Sequence, residues 1–273
     1  MFKFLAGLSA GLTGLILLGG WAPLQSSPDT SWTPRDYLTV LSLNLKGHDP
    51  NHSREERLRP VVELCRAEKV DVLLLQEGVA GLVVRDSIKE LQGQLELAGR
   101  TKAPVFGVWP FMTYEIGVLS RFPFNRAVSA GCAVSMVPTL DKLPIPGKRR
   151  VVGGHFQVPG LGVVRACSVH LASKPLNQEE RMKQVNCLLA FINEQSRPDL
   201  EILGGDFNFR QSNPAYGLVQ ATGFQGFGSG VDFVFCRGGE VYDGKAVFTD
   251  HFVSDHCGIL VKIRKGKRLA SGL

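Results

Sequence analysis

A chain of 273 residues with 44% hydrophobic and 21% charged residues, 31 glycines and 15 prolines has the composition of a turn-rich globular protein, which excludes a disordered tail or a coiled coil. Mean hydropathy is +0.04, and no apolar run after Trp21 reaches the ~20 residues that cross a bilayer, so a polytopic membrane protein is excluded. The net charge of +6, from 31 basic against 25 acidic residues, mildly favours anionic partners such as nucleic acid, phospholipid or phosphorylated metabolites.

Met1-Phe2-Lys3 leads into an apolar stretch from Phe4 to Trp21, followed by the polar Gln25-Ser26-Ser27-Pro28-Asp29. This is the order of charged, apolar and polar regions in an export signal. As a helix the apolar stretch spans ~27 Å, long for a signal and short for a ~30 Å hydrocarbon core. Residues 1–22 are therefore read as a signal peptide or a membrane anchor, and the protein is expected to be exported, either secreted or held at the membrane. Residues 23–34, rich in Pro, Ser and Thr, read as a linker. No composition break divides residues 35–263, which read as one α/β domain, and residues 264–273 form a basic tail.

Within that domain strands and helices alternate. Tyr37 to Asn44 reads as a strand. Ser53 and Glu56 have the spacing of a capping box, but Pro60 suggests that the regular helix starts only there and runs to about Glu68. Val70 to Gln76 is a continuous apolar run, the signature of a strand buried on both faces. Leu82 to Leu97 carries Val84, Ile88, Leu91 and Leu95 at helical spacing. Ile116–Ser120, Val151–Val158, Gly162–Val169 and Leu200–Leu203 read as strands, Gln178 to Gln195 as a helix, and Asn213-Pro214 as the start of a short helix. Val231–Phe235 and Cys257–Ile263 are the last strands. The six cysteines have irregular spacing and several lie in apolar strands, so they are read as buried free thiols. None forms a paired CxxC, which argues against a zinc site.

The informative pattern is the set of polar groups at the ends of these apolar runs: Asn44, Gln76-Glu77, His170, Asp206 with Asn208, Asp232, and Asp255-His256. Strand ends are where α/β sheets place their sites. Hard divalent cations take oxygen ligands, which Glu77 and Asp255 offer, while Asn44 adds a dipole without charge. Two histidines supply charge or protons near neutral pH. Asp206 and Asn208, two apart on an extended segment, point to one side.

The strings LSLNLKG, LLLQEG, IGVLSRFP, CSVHLAS, LGGDFNF, VDFVF and SDHCGILV, in this order, resemble the endonuclease/exonuclease/phosphatase superfamily over residues 37 to 263. The resemblance implies a four-layer α/β/β/α sandwich of two packed mixed β-sheets flanked by helices. It implies a divalent-metal-dependent phosphoesterase using Mg²⁺ or Mn²⁺, with Glu77 as principal metal ligand, Asn44 beside it and Asp255 as a further metal-site carboxylate. It also implies that Asp206 activates the attacking water, that Asn208 and the histidines 170 and 256 contact the phosphate, and that Asp232 orients His256. Before IGVLSR, relatives place a catalytic Tyr or Glu. Here Tyr114 and Glu115 are both present, and adjacent strand residues face opposite sides, so only one can face the site.

The expected activity is phosphodiester hydrolysis by water attack in line with the leaving group, with an exported or membrane-tethered nuclease as the first reading and nucleic acid as its substrate. The alternatives are a sphingomyelinase-like phospholipase or a lipid or inositol phosphatase, with phospholipid as substrate, and an inactive binding module. The intact set of these positions argues against the last. Membrane contact is expected through the N-terminal segment. Arg121, Arg126, Arg149 and Arg150 are candidate phosphate contacts, and His48, His52, His155 and His251 are read as structural.

Overall fold

The computed structural model describes residues 36–266, apart from 48, 50, 83, 109–111, 139–143 and 173–177. Residues 1–22, read above as a signal or anchor, residues 23–34, read as a linker, His48 and the residues beyond 266 lie outside the described residues, as do the side chains of 106–111 and 132–149. Among the described residues no helix is long and apolar enough to cross a membrane.

Twelve strands and four helices follow one another as β1 (Tyr37–Asn44), α1 (Arg54–Ala67), β2 (Val72–Ala80), α2 (Ser87–Leu95), β3 (Gly99–Val108), β4 (Met112–Ser120), β5 (Arg126–Pro138), β6 (Pro144–Val158), β7 (Gly162–His170), α3 (Gln178–Glu194), β8 (Leu200–Asp206), α4 (Pro214–Ala221), β9 (Gln225–Ser229), β10 (Asp232–Arg237), β11 (Gly239–Val247) and β12 (Gly258–Lys265). They form two six-stranded sheets, ordered β11-β12-β1-β2-β4-β3 and β5-β6-β7-β8-β10-β9. Each has one parallel pair at its centre, β1 with β2 and β7 with β8, and each pair is connected through a helix, α1 or α3. The chain thus builds two βαβ units of one design, although no internal repeat is visible in its sequence.

Strand alternation explains the layering. In β1 and β2, Leu38, Val40, Val72 and Leu74 point to the other sheet, where they meet Val164, Ala166, Leu200, Ile202, Val234 and Cys236. The intervening Leu41, Leu43, Leu73 and Leu75 point outward and pack under Leu58, Val61, Val62 and Cys65 of α1 and under Ile88 and Leu91 of α2. On the other side Leu203, Phe233 and Phe235 pack under Val185, Leu188, Leu189 and Ile192 of α3 and under α4. Burial on both faces is why these strands read as unbroken apolar runs. The result is the expected α/β/β/α sandwich.

Several boundaries differ from the sequence reading. α1 begins at Arg54, six residues before Pro60, because the Ser53–Glu56 capping box forms: Ser53 Oγ accepts from the Glu56 N–H at 3.2 Å and Glu56 Oε2 accepts from the Ser53 N–H at 2.8 Å. Pro60 is carried inside the helix. α2 is shorter than 82–97, because Asp86 caps the Lys89 N–H at 2.9 Å. The strands absent from the sequence reading are β3, β5, β9 and β11, the four edges of the two sheets. Five cysteines, at 65, 167, 187, 236 and 257, are free thiols.

Candidate active site

The C-terminal ends of the two parallel pairs lie together at one pole of the sandwich. In register, Asn44 stands beside Gln76, His170 beside Asp206, and Asp232 on the other side of Asp206. Below them the sheets are tied by Gln76, whose Nε2 donates to Ser168 Oγ at 2.8 Å, while Ser168 Oγ donates to the Leu75 carbonyl at 3.0 Å. Glu77 follows at a β-bulge: Leu75 pairs with Gly117 but Gly78 with Glu115, so β2 carries one extra residue, and Glu77 has φ of +51°. A bulge breaks strict alternation and re-aims a side chain. Gly205, at φ of +154°, lets the chain enter Asp206 where any side chain would strike the Val169 carbonyl.

Asn44 Nδ2 donates to Glu77 Oε1 at 3.2 Å and to Asp206 Oδ2 at 3.4 Å, joining the two sheets' carboxylates. Its Oδ1 accepts from the Lys46 N–H at 2.9 Å, which fixes the amide's orientation. Asp206 Oδ2 lies 3.5 Å from His170 Nε2 and 3.8 Å from His256 Nε2, and Glu77 Oε1 lies 3.8 Å from His170 Nε2. His256 Nδ1 bonds Asp232 Oδ2 at 2.8 Å. The Asn208 N–H donates to Asp206 Oδ1 at 2.9 Å, and Asn208 Nδ2 donates to the Leu171 carbonyl at 3.0 Å, so one amide hydrogen is engaged. Asp255 is exposed at the rim, with Ser254 Oγ 3.4 Å from its Oδ1.

Electrostatics follow from this crowding. Burial, then the Asp232 charge, pushes the Asp206 carboxyl up to about 7. Asp232 is raised mainly by burial, although its bond to His256 opposes the shift. That bond is the chief cause pushing His256 up to about 9. Asp206 is thus poised as a proton acceptor near neutral pH and His256 is held as an imidazolium.

The donor set suits a hard divalent cation: carboxylate and amide oxygens with imidazoles and no thiolate, and carboxylates that raise one another's affinity for protons. Among the described residues, the acidic and histidine side chains of Asp206, Asp232 and His256 bring ligand-type atoms within 4.8 Å of one another. This group differs from the expected Asn44, Glu77 and Asp255. Asp232 is already committed to the His256 ring by a 2.8 Å hydrogen bond, and the other ring nitrogen stands 3.8 Å from Asp206 Oδ2. Glu77, with 30% of its side chain exposed, is the better-placed oxygen ligand.

The choice at 114 and 115 is decided by neighbours. Glu115 turns away, toward Lys102 Nζ at 2.7 Å, which also bonds Asp86 at 2.6 Å. Tyr114 lies on the site side: a Cβ on Gly47, three residues past Asn44, would press on its ring, and Glu77 adds to the burial that raises its hydroxyl pKa. Of the four candidate arginines, Arg121 is held by Asp71 at 3.2 Å, at the end of β4 far from the site. Arg126 pairs with His155, also distant. Arg150, next to Val151, which pairs with Val169, is at the site pole, and the Arg149 side chain lies outside the described residues. His155 is buried with its pKa lowered, chiefly by burial. His52 packs on Phe252 at 4.7 Å, and His251 is exposed. Sequence reasoning passed over Arg57 and Arg181, buried in the first turns of α1 and α3. Their signal was position: each is the fourth residue of a helix that follows a site strand.

The fold matches an endonuclease/exonuclease/phosphatase from Beutenbergia cavernae DSM 12333 with a TM-score of 0.67 at 18% identity, covering 85% of this chain and 72% of that one. A family protein from Leptotrichia buccalis C-1013-b matches with a TM-score of 0.66 at 19% identity, covering 83% and 99%. A mannosyl-6-phosphatase from Bacteroides thetaiotaomicron VPI-5482 matches at 0.58 and 16%, covering 83% and 99%. No curated protein matches the sequence significantly. The model of the Endonuclease/Exonuclease/phosphatase family matches residues 41–256, the span that carries every residue of this site, and the chain belongs to that family.

Proposed function

We propose that this chain is a divalent-cation-dependent phosphodiester hydrolase of the nuclease type, acting on nucleic acid. One observation carries the reading: Asp206, raised toward neutrality, stands between His170 and His256 with Asp232 behind the latter. In the proposed reaction Asp206 accepts the proton of water as its oxygen bonds to phosphorus, and the opposite P–O ester bond breaks to release an alkoxide that takes a proton from solvent. The His256 imidazolium, oriented by Asp232, donates to a nonbridging phosphate oxygen, and His170 and the Asn208 amide contact the same group. Charge developing on those oxygens is stabilised by donors already in place. Glu77 and Asp255 would hold Mg²⁺ or Mn²⁺, with the Asn44 amide steadying Glu77 beside it, and the cation would neutralise phosphate charge as a Lewis acid. Tyr114 borders this pocket.

The geometry favours a substrate arriving from solution over a lipid in an anchoring bilayer. Tyr37 pairs with Arg264, so the described chain enters and leaves at one pole. The site residues 44, 77, 170 and 206 lie at the other ends of their strands, about 25 Å away for a strand of eight residues. This separation between the described chain's ends and the site supports a substrate that reaches the site from solution. A phosphomonoester is the second reading, suggested by the mannosyl-6-phosphatase among the similar folds.

The test is a panel with Mg²⁺ or Mn²⁺ and with chelator: plasmid DNA, RNA, sphingomyelin vesicles and a sugar phosphate. Cation-dependent nicking or RNA cleavage is expected. Hydrolysis confined to vesicles or to the sugar phosphate replaces the nuclease reading, and full activity in excess chelator overturns the cation requirement.

A further inference from the structure

The two βαβ units share a device that their sequences do not advertise. Arg57 is the fourth residue of α1 and Arg181 the fourth of α3, and both are over nine-tenths buried. A buried guanidinium is costly unless its donors are used. Each uses one terminal nitrogen to hold two carbonyls from different loops. Arg57 NH1 donates to the Leu45 carbonyl at 2.7 Å and the Val253 carbonyl at 3.0 Å. Arg181 NH1 donates to the Asn208 carbonyl and, at 3.4 Å, to the Ala172 carbonyl.

These four carbonyls are not arbitrary. Leu45 follows Asn44, Val253 lies two residues before Asp255, Ala172 lies two after His170, and Asn208 lies two after Asp206. Gln184, one turn after Arg181, accepts from the Ala172 N–H at 3.1 Å and holds the same loop. Among the described residues neither arginine bonds a carboxylate, unlike the buried Arg165 and Arg237, which grip Glu201. Loop ends are otherwise the mobile parts of a sandwich, and displacing a reacting group by about 1 Å can cost about 100-fold in rate.

We propose that Arg57 and Arg181 are paired positioning residues: each staples the two active-site loops of its own sheet to one another, so that the site residues they carry keep their relative positions. The inference rests on the proposed hydrolytic reading only for its kinetic arm. Arg57 governs Asn44 with Asp255 and His256, and Arg181 governs His170 with Asp206 and Asn208. The two arginines therefore have separable effects.

The test compares Arg57→Lys, Arg57→Ala, Arg181→Lys and Arg181→Ala in the full chain, with the folded fraction checked by thermal melting. Kinetics use bis(p-nitrophenyl) phosphate with Mn²⁺, and a second arm follows the imidazole NMR signals of His170 and His256 through a pH titration. Each alanine variant is expected to lose about 100-fold in kcat with KM within about 3-fold. Lysine variants or added methylguanidinium should restore part of that loss. In the cation-free protein Arg181→Ala should shift mainly the His170 signals and Arg57→Ala mainly those of His256. Unchanged imidazole signals in variants that melt as folded proteins overturn the proposal. So does a kcat loss that disappears once activity is corrected for the folded fraction. If the wild type hydrolyses no phosphodiester, the nuclease reading fails by itself and the NMR arm alone decides the role of the arginines.

Discussion

The two poles of the sandwich handle buried charge in opposite ways. Away from the site, Arg165 from β7 and Arg237 from β10 share the Glu201 carboxylate: Arg165 Nε bonds Oε1 at 2.6 Å, and Arg237 Nε bonds Oε2 at 3.0 Å. Their remaining donors reach the carbonyls of Ile192 and Thr222 and the Asn193 side chain, and Arg237 lies over the Phe224 ring at 4.5 Å. The carboxylate is gripped on both oxygens and the guanidinium donors are used inside the protein. At the site, Asp206, Asp232, Glu77 and Asp255 crowd together around two histidines, His170, 3.5 Å from Asp206, and His256, whose ring is committed to Asp232. A buried network complete in itself specifies structure, whereas one left with excess negative charge is available to an outside cation and substrate.

The sharpest way to break this contrast is to remove one carboxylate from each pole. Glu201→Gln leaves two buried guanidinium groups without their counter-charge and should cost about 3–5 kcal/mol in urea unfolding. Asp206→Asn removes one of several mutually repelling carboxylates, so stability should hold or rise. Equal destabilisation by the two would mean that both poles are structural.

Activity should divide the same way. Asp206→Asn, His170→Ala and His256→Ala should each lower turnover by about 10²- to 10⁴-fold, the usual effect of losing a positioned proton-transfer or electrostatic group. His155→Ala, buried near Arg165 and away from the site, should leave turnover per folded molecule within a few-fold. Steady-state kinetics on the purified chain decide this, and a large loss at His155 with none at His256 would reassign the site.

Proton linkage offers a finer probe. The Asp206 carboxyl is raised from 3.8 to about 7, so the folded state binds its proton more tightly and this group's contribution to stability falls as pH rises from about 4 to 7. His256 is raised from 6.5 to about 9. Its contribution is fully present below pH 6.5 and lost as pH rises through 9. In chelator, Tm should therefore decline across this range more steeply for wild type than for Asp206→Asn, and Mg²⁺ should flatten the decline by competing with protons. A steeper decline in Asp206→Asn would contradict the assigned shift.

The smallest effects are expected at the neighbouring pair in β4. Tyr114→Phe, facing Glu77, should lower kcat about 10-fold with little change in Tm. Glu115→Gln, which bonds Lys102 away from the site, should cost about 1 kcal/mol or less by urea unfolding and leave kcat unchanged. The reverse result would exchange their positions.

What was legible in the sequence follows from burial. β1, β2, β7, β8, β10 and β12 are covered on two faces and therefore wrote themselves as apolar runs with polar ends. The edge strands did not. β9 and β11 have no fully buried residue along their length, and a strand that buries neither face carries no periodic signal. Pro60 misplaced the start of α1 because local helix chemistry at Ser53 and Glu56 outweighed a proline still close to the N-terminal end.

The sequence by itself determined the layered class, the family and the identity of the groups at the strand ends, since those depend on residue type and order. Only the tertiary structure decided which groups share one space. It placed Tyr114 toward the site and Glu115 toward Lys102, moved Arg121 and Arg126 to the wrong pole, and gave Arg57 and Arg181 their carbonyl partners up to 196 residues apart in the chain. The physical reason is that sequence pattern records whether a side chain is buried. Which distant loop it meets there is set by how the two sheets stack and register.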